Sequence, residues 1–155
     1  MRIGNTPAPG SFTPACADFE ARTRASFGLQ RVMKTIGAEL VSVSAGEVVI
    51  AMPFREDLAQ QHGYIHAAMI TAIVDSACGF AAYTLMPESV AVLTTEYKVN
   101  FLAPAEGQTF LAYGRVIKAG RTLTVCAGDV VNQAEKPVAT MLATMMTVTG
   151  RGITG

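Results

Sequence analysis

The sequence predicts an α+β domain in which a mostly antiparallel sheet wraps around one long central helix. Three observations carry this. A continuous apolar run, Ala67–Met86, is rich in Ala and Gly and long enough for a buried helix. Two short runs dense in β-branched residues precede it and four follow, each bounded by Gly, Pro, Asn or Ser. The chain has 155 residues, 50% of them hydrophobic and 15% charged, which suits one domain with a sizeable core and argues against disorder.

The elements follow in order. Residues 1–14 hold three prolines and two glycines and read as a flexible lead-in. A single domain is expected over 15–150, with a short tail at 151–155. From Ala15 to about Lys34 the pattern is helical, with an interruption expected near Gly28 and with Phe19, Phe27 and Val32 toward the core. "AELVSV" and "EVVIAMPF" read as a strand pair turning at Ser44-Ala45-Gly46. A loop at 55–65 leads into the long helix, which Pro87 is expected to stop. Its small residues suggest that a sheet curls closely around it, and Gly79 in its interior suggests a packing reason, since glycine there costs about 1 kcal/mol. Four strands follow. In "TTEYKVNFLAP", Thr95, Tyr97, Val99 and Phe101 alternate with Thr94, Glu96, Lys98 and Asn100, so one wet face is expected. "QTFLAYGRVIK" and "TLTVCAGDVV" flank a turn at Ala119-Gly120. After a turn over 132–135, "PVATMLATMMTVTG" is apolar on both faces, so cover on both is expected.

Composition narrows the function. Twelve basic and twelve acidic side chains cancel, so the basic face of a general nucleic-acid binder is not expected. Three widely spaced cysteines suggest no disulfide framework and fit a reducing compartment. The N-terminal run has no apolar signal core, and a cytoplasmic location is expected. Asp75 would sit mid-bilayer if Ala67–Met86 spanned a membrane, so no membrane association is expected.

Asp75 is the residue that asks for an explanation. Burying a carboxylate is costly unless something pairs or uses it. At helical spacing its neighbours are Thr71, Ala72, Cys78 and Gly79, with no basic partner. A carboxylate so placed is a candidate base or nucleophile with a raised pKa. The start of the same helix is a second candidate. The first-turn amides of Ala67 and Ala68 lack intrahelical partners and, with the helix dipole, suit a negative oxygen. Gly63 before them lets a ligand approach the backbone. Ala67 and Asp75 are eight residues apart, about 12 Å along a helix. Both can act on one carbonyl only if they come from two chains, so a two-fold dimer is implied. His62 and His66 have an i, i+4 spacing, but no third ligand matches and the Glu of H-E-x-x-H is absent; no metal or other cofactor is expected. Ser76 and Cys78 lack a nearby base. Lys118 and Arg121 put two cations at a tight turn, useful to a phosphate-bearing ligand and otherwise a solvated hairpin tip.

His66-Ala67-Ala68, followed at the right interval by Asp75-Ser76-Ala77-Cys78-Gly79, resembles the H-G-G-x₆-[DE]-x-A-x-[AG] motif of hotdog-fold acyl-CoA thioesterases of the PaaI-like group. "VNFLAPA" and "RVIKAGRTLTV" are similar to segments of that fold, and the likeness spans roughly Phe27 to Val148. The resemblance implies hydrolysis of acyl-CoA thioesters to free acid and CoA. It implies Asp75 as general base or nucleophile, and the Ala67 N–H as donor to the thioester carbonyl. It implies Gln60, or the adjacent Gln61, as an amide that holds water or the carboxylate. Thr94, with Thr95 second, matches the hydroxyl residue at the start of the next strand. Lys118 and Arg121 resemble the basic residues that meet CoA phosphates; His62, Gly63, His66 and Ala68 would shape the substrate-binding loop. Ala67-Ala68 departs from the usual Gly-Gly, which removes the closest backbone approach. The implied partners are the acyl-CoA substrate and a second copy of the chain, as a dimer or a dimer of dimers. Tyr64, Phe80 and Tyr83 are candidate linings of the acyl pocket. A non-catalytic acyl-CoA-binding hotdog protein is the alternative reading, and a related dehydratase or hydratase ranks behind it.

Overall fold

The computed structural model describes residues 11–150. Most of the lead-in expected at 1–14, and the whole tail at 151–155, lie outside them. Two helices, α1 (Phe19–Leu29) and α2 (Arg31–Ile36), come first. Strands β1 (Glu39–Ser44) and β2 (Glu47–Pro53) follow, then a single 3-10 turn at Glu56–Leu58, and then α3 (Ala67–Tyr83). Strands β3 (Ala91–Phe101), β4 (Thr109–Lys118), β5 (Leu123–Asn132) and β6 (Pro137–Val148) complete the order. They form one six-stranded sheet in the order β1-β2-β4-β5-β6-β3, antiparallel at every pairing. The sheet curls around α3, whose Ile73, Val74, Ala77, Cys78 and Ala81 are fully buried. No described helix is long and apolar enough to cross a membrane.

The trough for α3 is cut by glycines in the sheet. Gly114 and Gly128 face each other across β4 and β5. A Cβ at Gly114 would overlap the backbone of Ala77 and Cys78; one at Gly128 would overlap the Val74 and Cys78 side chains. Gly79 has the opposite environment: a Cβ added there meets nothing within 4 Å. The packing reason expected for Gly79 therefore belongs to the sheet glycines instead.

Several local expectations are corrected. The first helical region breaks at Gln30, whose backbone leaves the helix at φ −78°, ψ 92°, while Gly28 lies inside α1. Phe27 packs edge-on against Phe80, with ring centroids 5.6 Å apart; Val32 is 48% exposed, because α2 turns Met33 and Ile36 inward instead. Helix α3 ends at Tyr83, four residues before Pro87. The Arg22 guanidinium takes the carbonyls of Tyr83, Met86 and Pro87 at 3.0, 2.7 and 2.6 Å. Thr84 Oγ1 donates to Ala81 O and accepts from Gly46 N–H, which ties the β1–β2 turn to this helix end. Of these, the carbonyls of Ala81 and Tyr83 are ones that another helical turn would have used.

Strand β3 also departs from simple alternation. Its register against β6 shifts between Thr94 and Glu96, so Thr95 is the extra residue of a bulge. Thr94 pairs with Met145, Tyr97 with Ala143 and Val99 with Met141, all partners on the buried, helix-facing side. Directly opposed residues share a face. Thr94 thus joins the face of Tyr97, Val99 and Phe101, not that of Glu96, Lys98 and Asn100. Among the described residues nothing covers the outer face of β6: Leu142 there is 54% exposed, and no described helix lies on the sheet's convex side.

Candidate active site

Asp75 sits on α3 between fully buried Val74 and largely buried Ser76, yet its carboxylate is only partly enclosed. Thr94 Oγ1 donates to Asp75 Oδ1 at 2.8 Å. The bulge at Thr95 makes this contact, since it turns Thr94 toward the helix. Among the described residues no cation pairs with Asp75. Burial pushes the Asp75 carboxyl above its usual range, and the Thr94 hydrogen bond opposes that rise by favouring the charged form. A carboxylate that is partly desolvated, unpaired and held by one hydroxyl is poised to accept a proton or attack an electrophile.

Asp75 and Thr94 open onto a cavity of about 300 Å³. Gly79, Phe80 and Tyr83 of α3 form one wall, Ala91 and Val92 of β3 another, and Ser26, Leu29 and Gln30 of the α1–α2 corner a third. Ser76 Oγ donates to Gln30 Oε1 at 3.2 Å, which anchors that corner to α3. The contribution of Ser26, Leu29 and Gln30 was not read from the sequence. Its only local signal is the break in the helical pattern, and the contact spans 46 residues.

The N-terminus of α3 lies in a second cavity, of about 460 Å³, lined by Gln60, Gln61, Tyr64, His66, Ala67 and Phe101 among others. His66 is the N-cap, and its Nδ1 accepts from Ala68 N–H at 3.0 Å. The Ala68 amide is therefore occupied, contrary to the expectation that both first-turn amides are open. Among the described residues, no hydrogen bond engages the Ala67 N–H. Gly63 has φ +85°, a left-handed conformation that glycine adopts without strain; it shapes the tight loop closed by Gly63 N–H on Gln60 O at 3.0 Å. Gln60 Oε1 accepts from His62 N–H, and the exposed Gln61 and His62 side chains approach at 3.4 Å. Within one chain Gln60 and Ala67 share this cavity while Asp75 and Thr94 share the other.

Lys118 and Arg121 are both exposed at the β4–β5 hairpin and line neither cavity. Lys118 pairs with Val125, itself opposite Thr144, which puts it on the convex side of the sheet. Neither histidine belongs to a group of three ligand-type side chains among the described residues. Cys78 and Cys126 are fully buried; burial raises both thiols, Cys126 to about 12, which leaves them protonated and unsuited to nucleophilic attack.

A curled antiparallel sheet wrapped around one long helix defines the hotdog fold. The chain belongs to the thioesterase superfamily, whose family model matches residues 62–139. A thioesterase family protein from Silicibacter pomeroyi is 45% identical, covers 85% of this chain and 99% of its own, and superposes with a TM-score of 0.82. The PaaI protein of the phenylacetic acid degradation operon of E. coli, 20% identical, shares the fold with a TM-score of 0.80 over 88% of this chain and 97% of its own. A 1,4-dihydroxy-2-naphthoyl-CoA hydrolase from Listeria monocytogenes is 29% identical over 110 residues, 70% of this chain and 86% of that protein. Family membership supports thioester hydrolysis as the general activity.

Proposed function

We propose that the protein hydrolyses acyl-CoA thioesters at a site shared by two copies of the chain. Asp75 of one copy serves as general base or nucleophile, and the Ala67 N–H of the other receives the oxyanion. The observation that carries this is the separation of two half-sites along one exposed sheet edge. Strand β3 ends the sheet. Thr94, near its start, borders the carboxylate cavity, and Phe101, at its end, borders the helix-tip cavity. A long unpaired edge strand is a template for another strand. Antiparallel pairing with a copy about a two-fold at Lys98 keeps opposed side chains on one face and, with the bulge at Thr95, sets Thr94 opposite Phe101 of the partner subunit, and does so twice. Each carboxylate cavity then meets the other copy's helix tip.

The remaining roles follow from position. Thr94 holds the carboxylate, Gln60 and Gln61 line the cavity where water and the thioester enter, and His66 fixes the helix tip with Gly63 shaping the loop before it. His62 borders that loop. The exposed Lys118 and Arg121 suit CoA phosphates carried by a neighbouring copy. Leu93, Leu123 and Leu142 stay exposed on the convex face, where Leu93 and Leu123 both oppose Met146; this face suits a dimer of dimers. The hydrolase from Listeria monocytogenes acts, by its name, on a CoA thioester, which agrees with this substrate class.

Mixed subunits test the reading. Asp75→Asn removes the carboxylate, and Ala67→Pro removes only an N–H at the first helical position, where proline is tolerated. Each variant alone is expected to be inactive toward acyl-CoA by thiol release. After denaturation and co-refolding in equal amounts, half of the dimers pair unlike chains, and one of their two sites is whole. Activity should return to about a quarter of the wild-type value. A mixture that stays inactive rules out the shared site.

A further inference from the structure

We propose that Gly79 sets which acyl groups the enzyme accepts, by leaving a gap in the wall of the Asp75 cavity that a compact acyl group fills. This rests on the assignment of that cavity to the acyl part of the substrate. Gly79 stands one helical turn beyond Asp75, at i+4, so both present to the same side of α3. It lines the cavity, and the space its missing side chain would occupy is empty to 4 Å. The close helix–sheet approach is made by Gly114 and Gly128, so packing does not account for a glycine at 79.

The far end of the cavity is rigid. Phe80 packs edge-on against Phe27 and against Tyr83, with centroids 5.6 and 6.3 Å apart. The Arg22 guanidinium lies 4.3 Å from the Tyr83 ring centroid and is held by three main-chain carbonyls. A floor so braced does not recede for a longer ligand. The volume of about 300 Å³ lies at the lower end of the range for small-molecule sites, roughly 300–1,000 Å³. A short aliphatic chain or a single ring fills it.

Binding tests this independently of catalysis. The probes are non-hydrolysable CoA thioethers bearing methyl, hexyl, benzyl and hexadecyl groups, titrated calorimetrically into the full-length protein. For the wild type, hexyl and benzyl should bind more tightly than methyl, and hexadecyl should gain nothing over hexyl. In Gly79→Leu the preference for hexyl and benzyl over methyl should fall by at least about tenfold, the scale on which apolar pockets discriminate bulk. Gly79→Ala adds one methyl group to open space, favours the helix, and should give a smaller fall in the same direction; it carries the test if the leucine variant does not fold. Preferences unchanged in both folded variants, or a wild-type affinity that keeps rising to hexadecyl, overturn the proposal. An Asp75→Asn protein that still turned over would sink the catalytic assignment and leave this result standing.

Discussion

Thr94→Val is the sharpest probe of how the fold tunes Asp75. Valine matches threonine in shape, so the variant removes the 2.8 Å hydrogen bond to Asp75 Oδ1 without opening a cavity beside Met145, whose sulfur lies 3.4 Å from the same hydroxyl. Hydrogen bonds to charged groups contribute about 1.5–3 kcal/mol. Here the carboxylate also faces an open cavity, and water replaces part of the loss, so about 1–2 kcal/mol is expected, a factor of about 5–30. The bond favours the ionised form, so its loss raises the proton affinity of Asp75. The acid limb of kcat/KM against pH therefore moves to higher pH, and on that limb the rate falls by about the same 5–30-fold. Thiol release from hexanoyl-CoA across the pH range measures both. Thr94→Ser, which keeps the hydroxyl, should restore the wild-type profile. An acid limb that stays put or moves to lower pH, or a serine variant as impaired as valine, refutes the reasoning.

Two further outcomes concern stability. Burial holds the Asp75 carboxyl above its ordinary value of 3.8, so the folded state binds its proton more tightly than the unfolded state. The stability tied to this proton is fully present below pH 3.8 and is lost as pH rises through the folded-state value. Asp75→Asn should thus be more stable than wild type at neutral pH by chemical denaturation, with the advantage shrinking toward pH 3; a less stable variant at neutral pH contradicts the burial argument. Gly114→Ala places a methyl group against the Ala77 backbone, which cannot move aside as a side chain can. A loss near the top of the usual overpacking range, about 3 kcal/mol, should lower Tm by about 6–12 °C, whereas Gly28→Ala, into open space on α1, should not lower it.

Much of this was legible in the chain. A lone carboxylate in an apolar run is expensive, so Asp75 announced itself by cost alone. The eight-residue interval to Ala67 converts to a length without coordinates, because helix rise is constant, and that length implied two chains. Six strands, the long helix and an interrupted N-terminal helical region were legible because their periodicities are local. Faces and neighbours were harder. Strict alternation groups Thr94 with Glu96, Lys98 and Asn100, since alternation carries no sign of the bulge at Thr95. The close approach was assigned to Gly79, since a glycine in sequence does not disclose what stands opposite.

The sequence by itself therefore determined the element types, the placing of Ala67 and Asp75 on one long helix, and the distance between them, all consequences of short-range geometry along the chain. Only the tertiary structure decided which groups meet: Thr94 on Asp75, Gln30 on Ser76, Arg22 across the end of α3, Gly114 against Ala77. Those contacts join residues 19 to 65 positions apart. They depend on strand order and register, and a single extra residue in a strand reverses the face that a side chain presents.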